Sequence, residues 1–204
     1  CRAITVLEMP KVRFIGDQAF KNCILFERVV MGELLEVGSK TFQGCANLHT
    51  VILSDITTKI GSYAFDGCKA LSTISSNVNV STEDLGHIIF TYIQEIGDYA
   101  FNGCTSIQYV KGPEITTVGN YAFNGWKNLE YFVANNVKTV GDYAFNGDST
   151  MNQIQIDACT DIGKYAFEGC SLFTKVVVAL NDTYILPAKM ITPFQITKNA
   201  WLFF

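Results

Sequence analysis

Seven cysteines in 204 residues are the first groups in this sequence that could do chemistry. Thiols can pair as disulfides, hold a metal ion or attack an electrophile. Six of them, Cys1, Cys23, Cys45, Cys68, Cys104 and Cys170, fall at one phase of a repeating segment, the last five three residues after a phenylalanine. Stacked segments would bring neighbouring Cα atoms about 5 Å apart, inside the disulfide range. Parallel side chains also keep their Cβ atoms about 5 Å apart, longer than a bridge prefers. A linear column cannot surround a tetrahedral ion, and His49 and His87 add no ligand spacing. Cys159 stands in a slot otherwise filled by Leu, Ile or Val, where a free thiol behaves as a small hydrophobe. The expected state is buried thiols, with no metal and no cofactor.

Other polar groups make weaker cases. Asp17, Asp98 and Asp142 form a second column, and paired carboxylates can run acid–base catalysis. Ser39, Ser62, Asn120 and Lys164 share that slot, however, a set that suits capping and would abolish catalysis. Cys68 or Cys104 with His87 would make a nucleophile pair only if the fold joined them, and nothing in the spacing does so. The segment "GDYAFNG" has two glycines but lacks the lysine of a phosphate-binding loop. Asn79-Val-Ser and Asn181-Asp-Thr match the N-glycosylation pattern. A net charge of −4 argues against nucleic-acid binding, which normally shows a basic patch. No run approaches the ~18 apolar residues of a membrane helix, so membrane insertion is not expected.

These columns exist because the chain repeats itself. "IGDYAFNGC" at Ile96–Cys104 returns as "VGNYAFNGW" from Val118, "VGDYAFNGD" from Val140 and "IGKYAFEGC" from Ile162. Phenylalanines fall at 20, 42, 65, 101, 123, 145 and 167, spaced by 22, 23, 36, 22, 22 and 22 residues. Six residues after each Phe come Phe26, Leu48, Leu71, Ile107, Leu129, Met151 and Phe173, and nine after come Val29, Val51, Ile74, Val110, Phe132, Ile154 and Val176. Fourteen after, in the regular coils, come Leu34, Ile56, Ile115, Val137 and Cys159. This predicts a repeat solenoid: a leucine-rich-repeat-like right-handed coil with a parallel strand ladder of about eight rungs, Leu7 to Val176. Short one-turn helices or turns would form the other side.

The corner is legible residue by residue. An N-cap type follows the glycine, and Gly or Asn two residues after Phe suits a left-handed helix end. Asp-Tyr-Ala-Phe-Asn-Gly therefore predicts a capped single turn, with Ala and Phe inward and Tyr outward. Ile4, Leu7, Val12 and Ile15 fit the same frame, so the chain reads as starting inside a repeat of a longer solenoid. The solenoid is expected over residues 1–178. The long spacing between Phe65 and Phe101 marks an insertion centred on Asn77–Phe90, expected as a surface loop with a short helix at Glu83–Ile89. Residues 179–204 read as a degenerate last coil or cap, with Phe194 in the Phe slot and a strand at Trp201–Phe203.

The pattern of Ile-Gly-Asp, Ala-Phe, Gly-Cys and the following Leu, Val and Leu positions resembles the BspA-like leucine-rich repeat family, from Cys1 to about Val178. Trp126 and Asp148 in the Cys slot and Lys164 in the cap slot depart from it. The family is known from surface and secreted proteins of bacteria and some parasitic protists. The resemblance implies a non-catalytic adhesion or protein-binding module at the cell surface or outside the cell, with a host or extracellular protein as partner.

Strand alternation places the residues eight and ten after each Phe on the outer ladder face. They are Arg28/Val30, Thr50/Ile52, Tyr109/Lys111, Tyr131/Val133, Gln153/Gln155 and Lys175/Val177. The expected binding face comprises Arg28, Thr50, Ile52, Tyr109, Lys111, Tyr131, Val133, Gln153, Gln155 and Lys175. Its aromatic and β-branched content favours a binder over the alternative, a structural spacer of a larger surface protein.

Overall fold

A computed structural model describes residues 3–76 and 85–172, and the backbone of 175–178. Six coils carry two short strands, on opposite sides of one apolar core, and the others show only the long-sheet strand among the described residues. In chain order they are β1 (Val6–Met9), β2 (Arg28–Met31) with β3 (Glu36–Val37), β4 (Thr50–Ile52) with β5 (Lys59–Ile60), and β6 (Thr73–Ser75). Then follow β7 (His87–Ile89) with β8 (Glu95–Ile96), β9 (Tyr109–Lys111) with β10 (Thr117–Val118), β11 (Tyr131–Val133) with β12 (Thr139–Val140), β13 (Gln153–Ile156) with β14 (Asp161–Ile162), and β15 (Lys175–Val178). The long sheet is ordered β1-β2-β4-β6-β7-β9-β11-β13-β15, and the short one β3-β5-β8-β10-β12-β14, every pair parallel. Residues one repeat apart sit in register, as Tyr109 with Tyr131 and Gln153.

The Phe column is the spine. Rings stack from Phe20 through Phe42, Phe65, Phe101, Phe123 and Phe145 to Phe167, at centroid separations of 5.5, 5.4, 5.2, 5.6, 5.2 and 5.4 Å. The residues nine after each Phe are buried from Val29 to Ile154. Gly141 lies against the coil below, where a Cβ would meet Asn120 N at 2.5 Å, and the same step excludes a side chain at Gly61, Gly97, Gly119 and Gly163.

Several expectations need correction. The corner is a chain of turns, with no helix among the described residues. Tyr63, Tyr99, Tyr121, Tyr143 and Tyr165 take φ of 54–58°, a left-handed conformation incompatible with a helical turn. The column residues do not cap locally. Oδ1 of Asp17, Asp98, Asn120 and Asp142 instead accepts the backbone N–H of the same slot one coil on, at 2.6–2.8 Å. They tie coil to coil.

The described part of the insertion, residues 85–90, is not a surface loop. Residues 87–89 form β7 between β6 and β9, and Ile88 and Phe90 are buried. The long sheet therefore has nine rungs, while β5 and β8 pair directly in the short sheet. The helix expected at Glu83–Ile89 gives way, where the segment is described, to a turn at 85–86 and strand β7. Ile56 is exposed, and Thr57 takes its interior slot with Oγ1 donating to Leu34 O at 2.6 Å, because that coil is one residue longer. The cap expected at 179–204, with Phe194 and Trp201–Phe203, lies outside the described residues, as do Cys1, Asn79 and Asn181.

The six described cysteines are buried and form no disulfide with one another. Each of Cys45, Cys68, Cys104 and Cys170 donates its thiol to the Phe carbonyl of the coil below, at 3.1–3.2 Å. Trp126, in the same slot, does so with its indole N–H, to Phe101 O at 2.6 Å. Asp148 breaks the series. Its Oδ1 accepts the Trp126 backbone N–H at 2.7 Å, while Oδ2 is buried with no partner. Desolvation pushes this carboxyl well above the carboxylate range, against the lowering effect of the Trp126 bond.

The folded chain thus holds a proton that the unfolded chain releases above about pH 4. The native state binds more protons, so the Asp148 contribution falls as pH rises from there towards neutrality. Asp148→Cys, which restores a thiol donor, is expected to stabilise the protein at pH 7 by about 1–3 kcal/mol. The gain should shrink towards pH 4 when urea unfolding is followed at several pH values; a gain independent of pH would contradict a buried neutral acid.

Candidate protein-binding face

The outer side of the long sheet holds most of the expected residues. Tyr109 and Tyr131 pair in register, with ring centroids 6.3 Å apart and tilted by 51°. Lys111 lies one pleat along from Tyr109 and is exposed, while Val110 between them is fully buried. Tyr131 is exposed, and Arg28, Thr50, Tyr109, Val133, Gln153 and Gln155 are half-buried. Lys175 continues the column in register with Gln153. Ile52 does not belong to the accessible set. It sits between Val30 and Ser75 of the adjoining rungs and is 2% exposed, so the face is closed there; Thr73, one rung on, is buried too.

Two residues join the face that spacing alone did not supply. Strand β7 places His87 beside Tyr109, ring centroids 5.4 Å apart edge-on, and Ile89 beside Lys111. His87, Tyr109 and Tyr131 thus make a continuous aromatic column over β7, β9 and β11. Ile89, 41% exposed, and Lys111 border it. The signal was present in "HIIF", where outward His and Ile alternate with inward Ile and Phe at the strand period of two.

The opposite wall differs in chemistry. The outward residues of the short sheet include exposed Glu36, Lys59, Glu95 and Asp161. Lys59 and Glu95 form an exposed ion pair at 3.0 Å, and the Glu95 contact raises the lysine pKa. Such pairs contribute little and leave a solvated surface.

The suspected nucleophile pair is not assembled. Cys68 and Cys104 lie in the interior, bonded to carbonyls, whereas His87 belongs to the outer ladder face. Burial raises both thiol pKa values, the reverse of what a thiolate nucleophile needs. Among the described residues, no group of three or more His, Cys, Asp or Glu is placed to hold a metal ion. No described helix is long and apolar enough to cross a membrane.

Parallel coils, an aromatic spine and a cysteine slot bonded to the coil below define a leucine-rich-repeat solenoid. The sequence profile described as BspA type leucine rich repeat region matches in six copies, over residues 1–87 and 81–187. The chain belongs to that family. Its fold is similar to the crystal structure of a leucine-rich repeat protein of T. pallidum, with a TM-score of 0.65 and 23% identity over 81% of this chain and 76% of that one. A leucine-rich cell surface protein from Faecalibacterium prausnitzii matches at 18% identity and TM-score 0.40, over 82% of this chain and 64% of that one. A leucine-rich repeat protein from Bacteroides ovatus matches at 21% identity and TM-score 0.33, over 86% and 67%. No curated protein matches the sequence.

Proposed function

We propose that the chain is a non-catalytic protein-binding module of a cell-surface or secreted protein, engaging a host or extracellular protein through the outer face of the long sheet. The observation that carries this reading is the column of His87, Tyr109 and Tyr131, bordered by Lys111 and Ile89. Aromatic rings offer large contact area at low rotamer cost, and cationic neighbours add orientation. A regular ladder also holds these groups rigidly, so little ordering entropy is lost when a partner docks. The rival reading, a spacer, has no use for an aromatic column on one wall and charges on the other. Adhesion is the role this face suits in a surface protein.

The test begins with the immobilised module and a panel of purified extracellular-matrix and host cell-surface proteins. For any protein retained, Tyr109→Ala and Tyr131→Ala are each expected to weaken binding by about 1 kcal/mol or more, with unchanged circular dichroism. Retention that survives both substitutions would place binding elsewhere. If no panel protein is retained, the spacer reading is favoured.

A further inference from the structure

The tyrosines at the coil corners take no part in the face described above. Tyr63, Tyr99, Tyr121, Tyr143 and Tyr165 form a second aromatic column, with centroids 4.7, 4.6, 4.8 and 5.0 Å apart. Their planes diverge by only 4, 7, 11 and 25°. Tyr165 is 52% exposed and the other four are half-buried. Neighbouring rings cover one another's faces, and Lys40 Nζ lies 5.3 Å from the centroid of Tyr63, so the accessible part of the Tyr63, Tyr99, Tyr121 and Tyr143 rings is the edge. A stack that exposes edges is a poor platform for a ligand that binds ring faces. It does bring the reactive positions of neighbouring phenols close together.

The six described thiols, usually the first side chains to be oxidised, are withdrawn from solvent. Burial pushes Cys45 up to about 12 and Cys159 up to about 11, and pushes Cys104 and Cys170 higher still. With little thiolate and almost no exposure, these four are poor targets for peroxide. The tyrosine column is an accessible oxidisable layer. Desolvation, then the adjoining tyrosines, raises the pKa of Tyr99 and of Tyr143, so these two stay in the phenol form.

We propose that this column is a site of dityrosine cross-linking between successive coils, formed by a haem peroxidase with hydrogen peroxide. The enzyme removes one electron and one proton from each of two adjacent phenols. The two radicals join through a new carbon–carbon bond between ortho carbons. Each ring then passes its ortho hydrogen, as a proton, to its own oxygen and regains aromaticity. Two phenols and one hydrogen peroxide give one dityrosine and two waters, with peroxide as the two-electron acceptor. The bond fastens one coil to the next on the exterior, as the Phe column does by packing within. A half-buried side chain has room to rotate its edge towards its neighbour, which the interior Phe rings lack.

The test uses dilute native protein, a haem peroxidase and limiting hydrogen peroxide. Blue dityrosine fluorescence is read on the monomer fraction, and peptide mass spectrometry locates the bond by its loss of two hydrogen atoms. A double variant, Tyr99→Phe with Tyr143→Phe, keeps five stacked rings but leaves no two neighbouring tyrosines in the column. The expected result is cross-linked monomer in the parent, with linked peptides from adjacent coil corners, and loss of that product in the double variant. Circular dichroism confirms that the variant is folded. Three results would overturn the proposal: no dityrosine in the parent monomer, undiminished product in the double variant, or linkage confined to Tyr109 and Tyr131. Cross-links only between molecules would do so as well.

Discussion

Phe123→Ala is expected to cost ~3–5 kcal/mol of folding stability, among the largest effects of any single truncation in this chain. Phe123 is fully buried between Phe101 and Phe145 and meets Trp126 and Phe132 edge-on, with centroids 4.9 and 5.3 Å away. The coils on either side are fixed by their own backbone ladders, so the void cannot collapse easily and its full cavity cost is felt. Asp142→Ala, at the corner one coil on, removes an exposed bond to Lys164 N and is expected to cost about 1 kcal/mol. Urea unfolding of both variants checks the difference. Equal costs would contradict a stacked aromatic spine with polar ties outside it.

Phe90→Ala should be comparably severe, at ~3–5 kcal/mol. This second prediction separates a rung from a loop. Phe90 follows β7, is 1% exposed and packs with its ring centroid 5.8 Å from that of Phe101. Were the segment a surface loop, truncation would change stability by about 0.5 kcal/mol or less. A wild-type unfolding midpoint for Phe90→Ala would therefore remove β7 from the core. It would also weaken the aromatic face, because the buried anchors Ile88 and Phe90 hold His87 and Ile89 outward by strand alternation.

Much of the fold was legible because each coil must solve the same burial problem. The Phe column, the slots six and nine residues later and the buried cysteines follow from apolar residues recurring at fixed offsets, and all but the half-buried Phe20 are interior wherever described. The second sheet was not legible. Its strands are only two residues long, as Thr139–Val140, too short to show a period. The corner was misread because Asp-Tyr-Ala-Phe has good local helix-start chemistry, while its real bonds are long-range. Nothing within one repeat says that Asp142 Oδ1 will find the N–H of Lys164. The left-handed tyrosines are likewise held by stacking against other coils, a tertiary override of local preference.

The candidate site was half legible. Register put Tyr109, Tyr131 and Lys111 together from spacing alone. It could not show that Ile52 is covered, or that the irregular segment returns as a strand and adds His87. Asp148 illustrates another limit. Its slot was identifiable as a departure from cysteine, but the unpartnered Oδ2 emerges only when the coil below is in place.

The claim that function resides on the outer face of the long sheet is tested most directly by hydroxyl-radical footprinting of the module, free and with a bound partner protein. The rates at which His87, Tyr109 and Tyr131 are modified would be compared with those at the corner tyrosines Tyr99, Tyr121 and Tyr143. The account predicts that the partner slows modification of the first three and leaves the corner rates unchanged. Protection of the corner tyrosines with no change at His87, Tyr109 and Tyr131 would contradict it.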